Sequence, residues 1–64
     1  MKLFIREHRL FVGMSLSELA NKAKVSKSYL SEIENGLKTN IGIEVLCRIS
    51  KALGCKPEDL YQCD

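Results

Sequence analysis

Two short segments with helical signals lie within residues 16–35 of this 64-residue chain and are separated by only three residues. The first begins after Ser15, where a Ser-x-x-Glu capping box provides acceptors for backbone N–H groups, and runs to about Ala23. The second begins after Ser26, a suitable N-cap, and stops at Asn35. Because a three-residue turn forces the second helix across the first at a steep angle, its outer face is expected to project from the domain.

The rest of the chain also carries helical signals, which together predict a compact all-α fold of five short helices. Residues 2–12 suit a first helix that ends at Gly13. Apolar residues recur at helical spacing over 45–53 and predict the fourth helix. Pro57 stands where a first helical turn accepts proline, which predicts a last short helix over 57–61.

Charge balance and hydropathy narrow the class of protein. Ten Lys and Arg residues against eight Asp and Glu give a net charge of +2, and 45% of the residues are apolar, which is typical of a globular domain. Arg6, Glu7 and Arg9 interrupt the apolar stretch 3–14, so this stretch suits neither a membrane span nor a secretory signal. These features predict one soluble, cytoplasmic domain over residues 1–64, with no membrane partner.

The chemically reactive residues do not form the pattern of an enzyme or a metal site. His8 lies on an apolar flank, where a core residue is expected. Cys47, Cys55 and Cys63 are eight residues apart, unlike the close pairs of zinc sites. Cys47 and Cys55 are expected to act as small apolar residues near the fourth helix, and Cys63 as an exposed thiol. We therefore expect no catalytic residue, no metal and no cofactor.

The second helix of the central pair has an apolar face and a polar face. At about 100° per residue, Leu30 and Ile33 share the inner side, with Tyr29 at its edge. The opposite arc holds short polar and charged side chains: Lys27, Ser28, Ser31, Glu32 and Asn35. An α-helix fits the DNA major groove, where side chains of this kind can read base edges. The alternative is an ordinary solvated helix face.

The segment LSELANKAKVSKSYLSEIENG resembles the helix-turn-helix of the phage repressor/Cro family, also called the XRE family. The similarity covers nearly the whole chain, from Arg9 to the closing ISKALGCKPEDLY, and with LKTN it is greatest to the DNA-binding domains of Bacillus repressors. The resemblance implies a lambda-repressor-like domain with its helix-turn-helix at about 16–35. It also implies a sequence-specific transcriptional regulator, usually a homodimer on a two-fold symmetric operator in double-stranded DNA.

The resemblance also assigns positions to individual tasks. The family reads bases from the positions held here by Lys27, Ser28 and Glu32, followed by Ser31 and Asn35. Phosphate anchoring is expected from the helix starts and from other family positions, namely Ser15, Ser17, Ser26, Tyr29, Lys38, Thr39 and Asn40. For Tyr29, a half-buried ring with its hydroxyl in water is the alternative. Arg9 and Glu34 occupy the positions of a structural ion pair that ties the first helix to the end of the third.

Three departures from the family pattern carry predictions of their own. Leu16 stands where a polar residue commonly touches a phosphate, so either the backbone amides suffice or Leu16 packs against a neighbour. Lys24 replaces the usual turn glycine, which costs on the order of 1 kcal/mol if the site is left-handed, while adding a positive charge. The first helix is apolar on its flanks as well as on its inward face.

Two surfaces are therefore candidates for protein contacts. The flanks of the first helix can pack against a second subunit, a partner domain or a cognate protein, or the last helix and the tail to Asp64 can cover them. Homodimerisation through the fourth and fifth helices follows the habit of the family. The residues concerned are Leu3, Phe4, Leu10, Phe11, Cys55, Leu60 and Tyr61.

These observations predict a DNA-binding transcriptional regulator without an effector domain, most simply a repressor that occupies promoter DNA. The alternative is a protein-interaction module of antitoxin or anti-regulator type on the same fold. Residues 1–40 hold seven basic and four acidic residues, whereas residues 41–64 hold three and four. The positive charge is thus concentrated in the part of the chain that contains the expected DNA face.

Overall fold

Local capping signals set the ends of the central helices in the computed structural model, which describes residues 1–38 and 40–63. The Ser15 Oγ accepts the Glu18 N–H at 3.0 Å, and the Glu18 carboxylate accepts the Ser15 N–H at 3.2 Å. The Ser26 Oγ accepts the Tyr29 N–H at 3.0 Å. The predicted capping box and the predicted N-cap are both confirmed.

The described residues form four α-helices, a single-turn 3-10 helix and two short strands. In chain order they are β1 (Lys2–Leu3), α1 (Ile5–Phe11), α2 (Leu16–Ala23), α3 (Lys27–Glu34), α4 (Ile43–Leu53), the 3-10 helix (Pro57–Leu60) and β2 (Tyr61–Gln62). The predicted second, third and fourth helices are confirmed. No helix among residues 1–38 and 40–63 is long and apolar enough to cross a membrane.

The expectation of five α-helices is wrong at both ends of the chain, where the two strands pair. In this antiparallel pair Lys2 is opposite Gln62 and Leu3 is opposite Tyr61, and the Phe4 N–H donates to the Leu60 carbonyl at 2.8 Å. The first helix therefore begins at Ile5 rather than at residue 2. The last helix is a 3-10 turn, and Tyr61 belongs to β2 instead.

The core contains side chains from every helix. Five large apolar residues are less than 2% exposed: Ile5, Leu19, Leu30, Ile49 and Leu60. Assigning Leu60 to a protein interface is therefore wrong, because its side chain fills the interior of the monomer. Leu16, Cys55 and Tyr61 pack partly buried against the core. Cys47 is exposed, contrary to the expectation of an apolar environment, and Cys63 is exposed as expected.

The apolar residues in and just before α1 differ in exposure. Leu3 is half-buried against the core beside the β2 strand, and Phe4 is half-buried. Leu10 and Phe11, by contrast, are 61% and 90% exposed. His8 is half-buried, with its ring Nδ1 3.1 Å from the Phe4 carbonyl oxygen. The C-terminal segment thus covers only the start of this surface.

Candidate DNA interface

The turn between α2 and α3 is made by one residue in a left-handed conformation. Lys24 has φ 57° and ψ 44° and is the C-cap of α2, as predicted if the site keeps the conformation of the usual glycine. The Val25 N–H returns to the Ala20 carbonyl at 3.1 Å. The Ser26 N-cap follows directly after this closure, so only three residues separate the end of α2 from the start of α3.

The outer face of α3 carries all five residues predicted to read bases. Lys27, Ser28 and Asn35 are exposed, whereas Ser31 and Glu32 are half-buried. The opposite face is anchored, because Leu30 is fully buried and Ile33 is 2% exposed. Tyr29 is half-buried at the edge of the core. A rigid apolar back therefore holds a polar front that contacts solvent.

Two of the three serines at the helix starts already accept hydrogen bonds from backbone N–H groups of their own helices. In Ser15 and Ser26 the hydroxyl oxygen accepts a capping bond, which leaves the hydroxyl hydrogen available to donate. Ser17 is exposed on the first turn of α2. Leu16 is half-buried against the core, so it packs rather than pointing freely outward. The first-turn backbone N–H groups of a helix have no acceptor within the helix, and such groups are suited to binding an anion.

The first residues of the segment after α3 are hydrogen-bonded to the last turn of that helix. The N–H groups of Leu37 and Lys38 donate to the Glu32 carbonyl at 2.9 and 3.3 Å. The side chains of Lys38 and Asn40 are exposed. Thr39, also predicted to contact phosphate, lies outside the described residues. Lys38 therefore lies four residues beyond the end of α3 and adds a positive charge there.

Arg9 and Glu34 form a nearly buried ion pair between α1 and the end of α3. Arg9 Nε and Nη2 donate to the Glu34 carboxylate at 2.7 and 3.0 Å, and the Glu34 side chain is only 2% exposed. Arg9 Nη1 donates to the Met14 carbonyl at 2.9 Å. The hydrogen bond to Glu34 raises the pKa of the Arg9 guanidinium, partly opposed by desolvation. The pair thus fixes the orientation of α3 relative to α1.

A second arginine at this junction was missed by the sequence reasoning. Arg6 Nη2 donates to Asn35 Oδ1 at 2.7 Å, and its Nε lies 3.4 Å from Glu34 Oε1. Arg6 precedes Arg9 by three residues, a spacing that places both on one helix face. That spacing suggests that Arg6 and Arg9 reach the same neighbouring element. It does not identify Asn35 as the partner of Arg6, because Asn35 is 29 residues away in the chain.

No group of three His, Cys, Asp or Glu side chains able to hold a metal ion occurs in the part of the chain that the structure describes. The half-buried Cys55 thiol has a raised pKa, because burial and the nearby Asp59 carboxylate both disfavour the thiolate.

Residues 5–60 match the helix-turn-helix family. This match spans most of the chain and includes every α-helix and the 3-10 helix, so the chain belongs to the helix-turn-helix family of XRE type. The resemblance to that family is thereby confirmed.

One relative of known name, and two solved structures that contain it, are similar to the chain over most of the chain's length. The transcriptional regulator SinR of Bacillus subtilis strain 168 is 53% identical over 49 residues, covering 77% of this chain and 44% of SinR. The structure of SinR in complex with DNA has a TM-score of 0.81 and 48% identity over 84% of this chain and 86% of that one. The structure of a SinR–SinI protein complex has a TM-score of 0.81 and 47% identity over 86% and 53%. The chain spans less than half the length of SinR.

Proposed function

We propose that this chain is a sequence-specific DNA-binding transcriptional regulator, a repressor that binds a two-fold symmetric operator as a homodimer. The observation that carries the proposal is the polar outer face of α3, held on a buried apolar back within a helix-turn-helix. The similarity to SinR, which has been seen in complex with DNA, supports it. The protein would act in the cytoplasm, where its DNA is.

Residues on the outer face of α3 are assigned to base reading. Lys27 can donate to guanine O6 and N7, and Glu32 can accept from a cytosine amino group. Ser28, Ser31 and Asn35 supply short donors and acceptors beside them. The helix backbone that carries these groups is held in place because Leu30 and Ile33 are buried, and a fixed backbone limits which bases each side chain can reach.

Phosphate anchoring is assigned to the margins of that face. The first turns of α2 and α3 offer backbone N–H groups and the hydroxyls of Ser15, Ser17 and Ser26. Lys38, Asn40 and Tyr29 lie on the flanks, and Thr39 completes the predicted set. Lys24 adds a further positive charge at the turn.

Variants of three charged residues test this division. Lys27→Ala and Glu32→Ala are expected to change which sequences are selected from random DNA, each by about 1–3 kcal/mol of base discrimination. Lys38→Ala is expected to weaken binding to all sequences and to reduce the salt slope by about 0.9. Fluorescence anisotropy titrations over a range of salt concentrations provide both quantities. If all three variants behave alike, the division into reading and anchoring residues is wrong.

A second function is favoured by the α1 surface. Leu10, Phe11 and Val12 are 61%, 90% and 47% exposed, and Glu7, His8 and Phe11 line an open depression beside them. A surface of this kind fits a protein-interaction module of antitoxin or anti-regulator type. The SinR–SinI structure shows that a similar chain occurs in a protein complex.

Binding of DNA by the purified chain separates the two functions. A chain that binds selected DNA alone, with strong salt dependence, supports the repressor. Light scattering of the wild type and of Phe11→Ser over a range of concentrations tests whether the exposed apolar surface of α1 mediates self-association. Equal monomeric masses for both, together with DNA binding by each, argue against self-association through α1.

A further inference from the structure

We infer that Arg6 is a positioning residue for base recognition: through Asn35 it fixes how Ser31 presents its hydroxyl on the outer face of α3. The inference rests on the proposed function and deepens it. It concerns a residue of α1, outside the helix-turn-helix itself.

The contacts form a continuous chain from α1 to the end of α3. The Arg6 Nη2 donates to Asn35 Oδ1 at 2.7 Å, and the Asn35 Nδ2 donates to Ser31 Oγ at 3.3 Å. Asn35 is the C-cap of α3 and is exposed. An exposed asparagine at a helix end ordinarily rotates about its side-chain bonds, which costs entropy to stop. Here the two bonds hold both ends of the amide at once.

These bonds also decide which atoms donate. A guanidinium only donates, so it selects the amide oxygen of Asn35 and turns the amide nitrogen towards Ser31. The Ser31 Oγ then accepts from Asn35, and its hydroxyl hydrogen remains for another acceptor. Ser31 is therefore presented to DNA as a donor, suited to N7 or O6 of a purine or to O4 of thymine.

Arg6 is separable from the structural pair beside it. Arg9 already binds both oxygens of Glu34, at 2.7 and 3.0 Å, whereas Arg6 reaches Glu34 only at 3.4 Å. The Arg6 side chain is 48% exposed, against 12% for Arg9. Replacing Arg6 therefore leaves the buried carboxylate paired, and the variant is expected to fold. The short hydrogen bond of Arg6 is the one to Asn35.

The first measurement needs no DNA. In the free protein, Arg6→Gln is expected to shift the side-chain NH2 resonances of Asn35 in a proton–nitrogen correlation spectrum. Lys2→Gln removes the same charge from an exposed residue of β1 and serves as the matched control. Unshifted Asn35 resonances in Arg6→Gln, or equal shifts in the control, would overturn the link between Arg6 and Asn35.

The second measurement compares affinities for a selected site and its single-base variants. The position read by Ser31 is the one where Ser31→Ala loses most discrimination. Arg6→Gln is expected to reduce discrimination there by roughly three- to tenfold, the range for one lost hydrogen bond. The other positions and the salt slope are expected to remain unchanged. The double variant Arg6→Gln/Ser31→Ala is expected to lose no more than Ser31→Ala alone, because both act through one hydroxyl.

Two results would overturn the inference while leaving the proposed function intact. One is a uniform loss of affinity with the salt slope reduced by about 0.9, which would make Arg6 a phosphate ligand. The other is additive losses in the double variant. If the wild-type chain bound no DNA, the proposed function itself would fail, and the Asn35 resonances would still judge the contact in the free protein.

Discussion

Lys24 has two roles: its backbone closes the turn between α2 and α3, and its side chain carries a positive charge near the expected DNA face. Its φ of 57° is the left-handed conformation that closes the turn between α2 and α3, and L-residues other than glycine adopt it at a cost of about 1–2 kcal/mol. The side chain is exposed beside the start of α3. The backbone of Lys24 is therefore strained. Its side chain places a positive charge near the expected DNA backbone.

Lys24→Gly is expected to stabilise the fold by about 1 kcal/mol, which raises the Tm of a domain this size by roughly 4–8 °C. The same change is expected to weaken DNA binding, since a positive charge is lost. Calorimetry and salt-dependent anisotropy measure the two effects. Lys24→Asn, which tolerates the left-handed conformation, is the control for charge. A lower Tm for Lys24→Gly would show that the conformation is not strained.

Thiol reactivity is a second residue-scale prediction. Cys55 is half-buried and its thiol pKa is raised, so less thiolate is present at a given pH. It is therefore expected to react with iodoacetamide several times more slowly than the exposed Cys47 and Cys63 at mildly alkaline pH. Mass spectrometry of the digested protein follows each site, and the difference should vanish in urea. Equal reaction rates of the three thiols in the folded protein would contradict this prediction.

At the scale of elements, the two ends of the chain stabilise each other. The β1–β2 pairing takes Lys2–Leu3 out of the first helix, and the 3-10 helix places Leu60 in the core. Asp59 caps this turn, since its carboxylate accepts the Lys56 N–H at 3.1 Å. The C-terminal elements therefore belong to the monomer core, and only their outer side, with the half-buried Tyr61, is left for a dimer contact.

Substitutions of two large apolar residues distinguish core from surface. Leu60→Ala is expected to lower the free energy of unfolding by about 2–5 kcal/mol, because it leaves a cavity in the core. Phe11→Ala, at a side chain that is 90% exposed, is expected to stay within about 0.5 kcal/mol of the wild type. Urea denaturation followed by circular dichroism measures both. A large loss for Phe11→Ala would indicate that this ring is covered in solution.

Over the whole molecule, the positive charge is concentrated in the segment that contains the expected DNA face. Residues 1–40 hold seven basic and four acidic residues, although the whole chain is only +2. The Arg9–Glu34 pair neutralises two of these charges internally. The exposed Lys24, Lys27 and Lys38 remain at the helix-turn-helix, where they favour approach to a polyanion.

A homodimer on a symmetric operator fixes the spacing of its half-sites. The two α3 helices would enter successive major grooves about 34 Å apart, which corresponds to about 10 base pairs. Inserting five base pairs between the selected half-sites is expected to abolish joint binding of both half-sites, because one of them then faces the opposite side of the duplex. Anisotropy titration with analytical ultracentrifugation tests this. Unchanged affinity and stoichiometry would indicate independent monomers.

Local sequence patterns are enough to predict the helices whose ends are set by neighbouring residues. The Ser15 capping box, the Ser26 N-cap and the left-handed Gly54 act within a few residues of the chain, so α2, α3 and α4 follow from local patterns. The polar outer face of α3 follows from its helical period in the same way.

Features that depend on partners far away in the chain could not be predicted from local patterns. Leu3 leaves the first helix because Tyr61 pairs with it. Leu60 is buried because α4 and Phe4 contact the 3-10 helix that carries it. Arg6 meets Asn35 across 29 residues. Local propensity carries no information about which distant groups will supply a backbone acceptor or a side-chain partner, since the packing of the whole chain brings them together.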